Sequence, residues 1–380
     1  MEGFDFAPRT RLVYGAGSLA RVGELAREFA ARRVFFVSAP GLVAAGHAPR
    51  ACALLAAAGF EVTLYAEGPE DPDARDVERC AAAARSTAPE LFVGLGGGSA
   101  IDLAKGAAML LANGGRMQDY WGLDKTSAPL APLIAVPTTA GTGSEVQSYA
   151  LIADEVTHQK MACGARDAAP RVALLDPELT LSAPRFVTAC AGLDALGHAL
   201  ETAVTKKRTA LSALFSREAA RRIVPALPRV LETPADLRAR GDLLLGATWA
   251  GLAIEHSMLG AAHALANPLS VSLGLAHGLA VGLTLAAVVR FNARDPRAHA
   301  RYAELGAAAG LDGAAPDELW RAFLERVFCL AGLSPRLSEH GMRAEHLDEL
   351  AEGAHRQWTA QFNPRTVGPG EFRALVQASL

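Results

Sequence analysis

The 380-residue chain has no long run of Lys or Arg, no Cys-x-x-Cys pair and no basic opening followed by an apolar stretch. The first absence removes the electrostatic footprint of a nucleic-acid binder, because the net charge is −3 and the two signs are interspersed. The second removes a thiolate zinc site. Cys52, Cys80, Cys163, Cys190 and Cys329 are odd in number and scattered, so no disulfide framework is indicated either. The third leaves "MEGFDFAPRTRLVYG" without the features of a secretory signal. A reducing cytoplasm is the expected compartment. Internal repeats and low-complexity linkers are also missing.

One further absence is local. Between Glu255 and Arg290 there is no Asp, Glu, Lys or Arg. A membrane-spanning helix needs about 20 mainly apolar residues, and this stretch is long enough. It carries His263, Asn267, Pro268 and His277, however, and polar groups are costly inside a bilayer. Pro268 is expected to break any helix that runs through it, and with the glycines to separate two helical pieces. The dry interior of a helical domain is the expected setting, with no membrane partner.

What is present is globular: 51% of residues are apolar and 20% charged, and the length has room for two domains. "RRVFFVS", "EVTLYAE", "ELFVGLGG" and "PLIAVP" read as strands separated by helical patterns, which implies a mostly parallel sheet covered on both faces. "YALIAD" and "HQKMACG" read as a β-hairpin attached to that sheet domain. After "RVALLDPELT" only Ala/Leu-rich helical patterns follow. The expected fold is an α/β domain over 1–185 that binds a dinucleotide, then an all-α domain over 186–380 for metal and substrate. A cleft between two such domains is a preferred ligand site.

Two glycine loops differ in quality. Gly15-x-Gly17-x-x-Ala20 nominally fits a dinucleotide fingerprint, but the strand after it ends Ser38-Ala39-Pro40, without the carboxylate a fingerprint requires. It reads as a turn. Gly96-Gly97-Gly98-Ser99 lies between a strong strand and a strong helix, where free N–H groups and the helix dipole suit a pyrophosphate. A tight turn alone would explain it equally well. Asp102 and Lys105 follow, and Asp102 can simply complement the dipole. "PTTAGTGSE" then adds the hydroxyls of Thr138, Thr139, Thr142 and Ser144 after another strand. Two such loops at the strand ends of one sheet favour a phosphate-bearing ligand.

Asp194 and His198 are four apart in "CAGLDALGHALE", one turn on one helix face among Leu, Ala and Gly. His263 and His277 come from the charge-free stretch. A carboxylate with imidazoles in an apolar interior is a recurrent shell for a divalent transition metal that keeps positions open for substrate. Singly, each is more often a hydrogen-bonded core residue than a ligand.

Taken in order, "GGGSAIDLAK", "PTTAGTGSE", "ALLDPEL", "GLDALGHALE", "GAAHALANPL", "HGLAVG" and "FNPR" resemble the iron-containing (group III) alcohol dehydrogenase family. The resemblance runs from about residue 10 to the C-terminus. It implies Asp194, His198, His263 and His277 as metal ligands, with Fe²⁺ the expected ion and Zn²⁺ or another divalent ion the alternative. Gly97, Gly98 and Ser99 would hold the cofactor pyrophosphate with Asp102 close by. Thr138, Thr139 and Thr142 would line the cofactor, and Lys160 would reach its ribose. The implied activity is hydride transfer between a small alcohol or aldehyde and a nicotinamide, with the cation polarising the substrate oxygen. A homodimer is the family's habit.

Three positions depart from the family pattern. Asn267 stands where many members have a histidine near the substrate, and an amide does not relay a proton near neutral pH. Ala39 replaces an acidic residue that bonds the adenosine ribose, which relaxes discrimination against a 2′-phosphate. Asp71 replaces a common Asn and adds negative charge near the same ribose. NAD is the expected cofactor, with NADP open. A specialised reductase resembling maleylacetate reductases or hydroxyacid–oxoacid transhydrogenases is the alternative enzyme, although the former typically lack the complete ligand set. A cofactor-binding regulatory protein that has lost catalysis is the alternative outside enzymes, favoured by Asn267 alone. Ile254 and His256 in "AIEHSMLG" are expected to shape the substrate pocket.

Overall fold

The structure, a computed structural model, describes residues 6–313 and 315–380. Its strands are β1 (Arg11–Tyr14), β2 (Arg33–Val37), β3 (Glu61–Tyr65), β4 (Leu91–Gly96), β5 (Gly122–Leu123), β6 (Leu133–Pro137), β7 (Tyr149–Ala153), β8 (Lys160–Gly164) and β9 (Val172–Leu175). Six of them form a sheet in the order β1-β9-β6-β4-β2-β3, with every pair parallel. The inner strands β4, β6 and β9 are apolar at successive positions and buried throughout. Unbroken apolar runs of this kind belong to strands covered on both faces. The edge strands β1 and β3 instead carry exposed positions.

Each face has its own core. Phe35, Val37, Phe92 and Ala135 pack with Ile101, Ala104 and Val77 on one side. Val34, Phe36, Val93 and Ile134 pack with Ala48, Ala51 and Leu55 on the other. The helix His47–Ala57 after β2 and the helix Gly98–Asn113 after β4 therefore lie on opposite faces. With β2 and β4 adjacent, their C-terminal ends form the switch point at which open α/β sheets bind ligands. The glycine loop sits there. β7 and β8 pair antiparallel as the expected hairpin, and β5 adds to β8 in a small second sheet.

The chain divides into two compact units, one reaching to Thr139 and resuming over Ser144–Ala183, the other comprising Ala140–Gly143 and Pro184–Leu380. The division is thus not a single cut. Two glycines explain the four-residue excursion: a Cβ on Gly141 would meet Ala191 Cα at 2.9 Å, and one on Gly143 would meet Gly251 Cα at 2.5 Å. Small residues in "TTAGTGS" are needed for contact with the helices Arg185–Val204 and Leu237–Glu255.

The second unit is helical among its described residues. Pro268 does not break its helix, contrary to the expectation: Ala261–Leu273 runs through it. A proline costs one N–H and about 3 kcal/mol in a helix interior, and the half-buried ring is packed against a neighbouring helix. Its ring lies against the helix Leu347–His355, where a Cβ on Gly353 would come within 3.1 Å. The separation falls at Gly274, whose left-handed φ of 65° ends the helix before His277–Asn292 begins. No described helix is long and apolar enough to cross a membrane.

Candidate functional site

Asp194 and His198 project from one face of the almost wholly buried helix Arg185–Val204. His263 comes from the helix Ala261–Leu273 and His277 opens the helix His277–Asn292. The Nε2 atoms of His263, His198 and His277 lie 3.4, 3.5 and 3.8 Å from Asp194 Oδ1. These separations are long for hydrogen bonds. They match ligands sharing one ion, since bonds of about 2.1 Å give a tetrahedron with edges of about 3.4 Å. Asp194, His263 and His277 can offer one ligand atom each, all within 4.8 Å of one another. His198 joins through Asp194 and stacks on His263 with ring centroids 4.7 Å apart.

Two further observations support the fit. Asp194 Oδ1 and His263 Nε2 are buried atoms without a hydrogen-bond partner. Such atoms are rare and call for an explanation such as an ion. The donor set, one carboxylate and imidazoles, suits Fe²⁺ or Zn²⁺. His277, with its side chain 37% exposed, stands on the open side while the other three are buried.

The electrostatics are those of buried charge. Burial pushes the Asp194 carboxyl upward, but His198, His263 and His277 outweigh it and hold the group below the usual carboxylate range. Burial takes His198 down to about 4 against the pull of Asp194. For His263 burial also acts downward, yet Asp194 and Glu201 together raise it to about 9.

Glu201 is a residue the sequence reading missed. It is 2% exposed, accepts from the backbone N–H groups of Gly260 and Ala262 at 3.0 and 2.7 Å, and stands 2.7 Å from His263 Nδ1. The available signal was spacing, since positions 194, 198 and 201 fall at i, i+4 and i+7 on one helix face. Asn363 was missed too. Its Oδ1 accepts from Ala261 N–H at 3.3 Å, and it exchanges amide hydrogen bonds with Asn292. "FNPR" and "VVRFN" therefore meet at the start of the helix that carries His263. Asn267 donates to Gln357 Oε1 at 2.9 Å, and His256 packs its ring 5.9 Å from that of Phe215.

Except for Thr142, the expected cofactor residues gather in the sheet unit. No side chain caps the helix Gly98–Asn113, whose N-cap is Gly97. A Cβ on Gly97 would lie 3.4 Å from Thr139 Oγ1, and Thr138 N–H donates to Gly96 O at 2.9 Å. Asp71, in the left-handed region at φ 58°, donates its N–H to Ser99 Oγ at 3.0 Å, and its carboxylate touches Lys160 Nζ. Ser99, Asp71 and Lys160 thus form one group. Thr142 belongs to the helical unit.

Asp102 faces inward. Its Oδ2 accepts from Leu151 N–H at 3.1 Å and its Oδ1 meets the Ser144 hydroxyl and Lys105 Nζ. Lys105, 1% exposed, also donates to Ser144 O and Tyr149 O at 2.8 and 2.7 Å. This buried ion pair ties the helix behind the glycine loop to the hairpin. The fingerprint-like Gly15 and Gly17 form a turn instead: Asp176 accepts from Gly17 and Leu19 N–H, both at 3.0 Å.

Comparison with known proteins decides the family. The family model "Iron-containing alcohol dehydrogenase" matches residues 8–177, and "Fe-containing alcohol dehydrogenase family, C-terminal" matches 188–380. The chain belongs to the iron-containing alcohol dehydrogenase family. It is an alcohol oxidoreductase. Alcohol dehydrogenase 4 of Schizosaccharomyces pombe is 31% identical over 97% of this chain and 87% of its own length. The NAD-dependent methanol dehydrogenase of Bacillus methanolicus is 30% identical over the whole of both chains. Among solved structures, a 1,3-propanediol oxidoreductase superposes with a TM-score of 0.94 at 27% identity, with both chains fully covered. Members of this family thus share the fold as well as the sequence.

Proposed function

We propose that the chain is a metal-dependent, NAD-linked alcohol dehydrogenase or aldehyde reductase for small substrates, with Fe²⁺ as its ion. The observation that carries this reading is the convergence of three imidazoles on the orphaned Asp194 Oδ1. Asp194, His198, His263 and His277 would hold the ion. When bound, the ion supplies Lewis-acid polarisation of the substrate oxygen, and the nicotinamide supplies the hydride chemistry. His277 marks the approach side, because it alone of the four is substantially exposed. Asn267 and Gln357, being amides, orient without titrating.

In the sheet unit, Gly97, Gly98 and Ser99 would receive the pyrophosphate at the uncapped helix N-terminus. Thr138, Thr139 and Thr142 would line the cofactor. Lys160 would reach the ribose, with Asp71 bridging Lys160 and Ser99. Asp102 would act from behind, by anchoring the helix rather than by touching the cofactor. NAD is favoured over NADP because the methanol dehydrogenase relative is NAD-dependent and Asp71 repels a 2′-phosphate. The uncombined cysteines support a reducing cytoplasm, and the family's habit supports a homodimer.

The test is turnover of short alcohols and diols by metal-reconstituted protein, with NAD against NADP. Asp194→Ala is expected to lose the ion, read by metal analysis, and to lower kcat/KM by about 10³-fold, which corresponds to the several kcal/mol a Lewis acid contributes. Wild-type-like metal content and turnover in this variant would sink the proposal.

A further inference from the structure

We propose that Glu201 is a positioning residue of the metal centre, fixing the tautomer and direction of His263 so that Nε2 offers its lone pair beside Asp194. This rests on the metal site argued above. Three donors converge on two carboxylate oxygens. Oε2 accepts from Gly260 N–H at 3.0 Å and stands 2.7 Å from His263 Nδ1, while Oε1 accepts from Ala262 N–H at 2.7 Å. An ionised carboxylate only accepts. The Nδ1 facing it must carry a proton, so Nε2 is the nitrogen that gives up its proton and offers a lone pair when an ion binds. That Nε2 is the buried, partnerless atom 3.4 Å from Asp194 Oδ1.

The same carboxylate holds the backbone from which His263 springs, so ring direction and helix start are set by one group. Its own position is set by the helix that carries Asp194 and His198. A glutamine cannot replace it. An amide has one acceptor oxygen and an NH₂ donor, so either Ala262 N–H or Gly260 N–H would face another donor. With the NH₂ toward Nδ1, the ring is driven to carry its proton on Nε2, where the ion must bind.

Glu201→Gln tests this beside Asp194→Ala, both stripped of metal and titrated with Co²⁺ while visible absorption and metal-free Tm are recorded. The expected result is Co²⁺ affinity about 10- to 100-fold below wild type in Glu201→Gln, with a changed ligand-field spectrum. Glu201→Asp, which still only accepts, is expected to bind more tightly than Glu201→Gln. A variant that loses Tm but keeps wild-type affinity and spectrum overturns the proposal, because that is what a purely structural carboxylate would do. Equal weakening by Asp and Gln also overturns it. Should Glu201→Gln fail to fold, Glu201→Asp decides: a shifted spectrum supports the proposal and an unchanged one refutes it. Wild-type Co²⁺ binding by Asp194→Ala would instead refute the metal site itself.

Discussion

Lys160 owes its chemistry to its position at the start of β8. Burial lowers its ammonium to about 8. The Asp71 carboxylate that touches it is 62% exposed, so water screens its opposing pull. The amine is charged below about pH 8 and neutral above it. If it holds the cofactor ribose, KM for NAD should rise as pH increases through that value. Lys160→Met should raise KM about tenfold at pH 7, the weight of a hydrogen bond to a charged group, and flatten the pH dependence. A pH profile of KM unchanged by the substitution would remove Lys160 from the cofactor site. The role came to Lys160 from family resemblance, because a lone lysine after a turn carries no signal of its own. The proposed metal ligands were more legible, since Asp194 and His198 share a helix face and His263 and His277 stand out in a charge-free stretch. Glu201 was less so: its spacing puts it on the face of Asp194, but a glutamate in a helix ordinarily faces water, and packing against His263 is what shows it buried.

At the scale of elements, the histidines converge because helices approach closely on glycine. A Cβ on Gly278 would lie 2.0 Å from Cys190 O and 3.0 Å from Asp194 Cβ, and one on Gly282 would meet Leu193 at 2.8 Å. Gly278 directly follows His277. Gly278→Ala must therefore push the helix His277–Asn292 away from Arg185–Val204, taking one ligand from the others. Chemical denaturation should show a loss of at least about 1–3 kcal/mol, the usual cost of overpacking, together with weaker Co²⁺ binding. Gly370→Ala, with nothing within 4 Å of the added methyl, is the control and should be neutral or slightly stabilising. Wild-type stability and Co²⁺ binding in Gly278→Ala would show that this crossing does not set the ligand geometry. The strands and the hairpin were readable because unbroken apolar runs and short β-rich pairs specify them locally. The course of the helix through Pro268 was not, since its survival depends on packing against Gly353, and the glycines of "TTAGTGS" disclose their purpose only against Ala191 and Gly251.

For the whole molecule, the arrangement separates two ligand requirements into two bodies of chain. The proposed metal set lies wholly within the helical unit, on Arg185–Val204, Ala261–Leu273 and His277–Asn292. The loop proposed for the pyrophosphate, Asp71 and Lys160 lie wholly within the sheet unit, and of the proposed cofactor residues Thr142 alone lies in the helical one. A ligand stabilises the segments that bind it by RT ln(1 + [L]/Kd), about 2.7 kcal/mol at a hundredfold excess over Kd. Amide hydrogen exchange should therefore resolve the two. Stripping the ion should speed exchange in the three ligand-bearing helices, because Asp194 Oδ1 and His263 Nε2 then lose their only partner. Adding NAD to the metal-free protein should slow exchange at the start of Gly98–Asn113 and around Lys160. Those helices should keep their unprotected rates until Fe²⁺ or Zn²⁺ returns. Uniform protection of both units by NAD alone would contradict this separation of binding roles, whereas metal-specific protection confined to the three helices would support it.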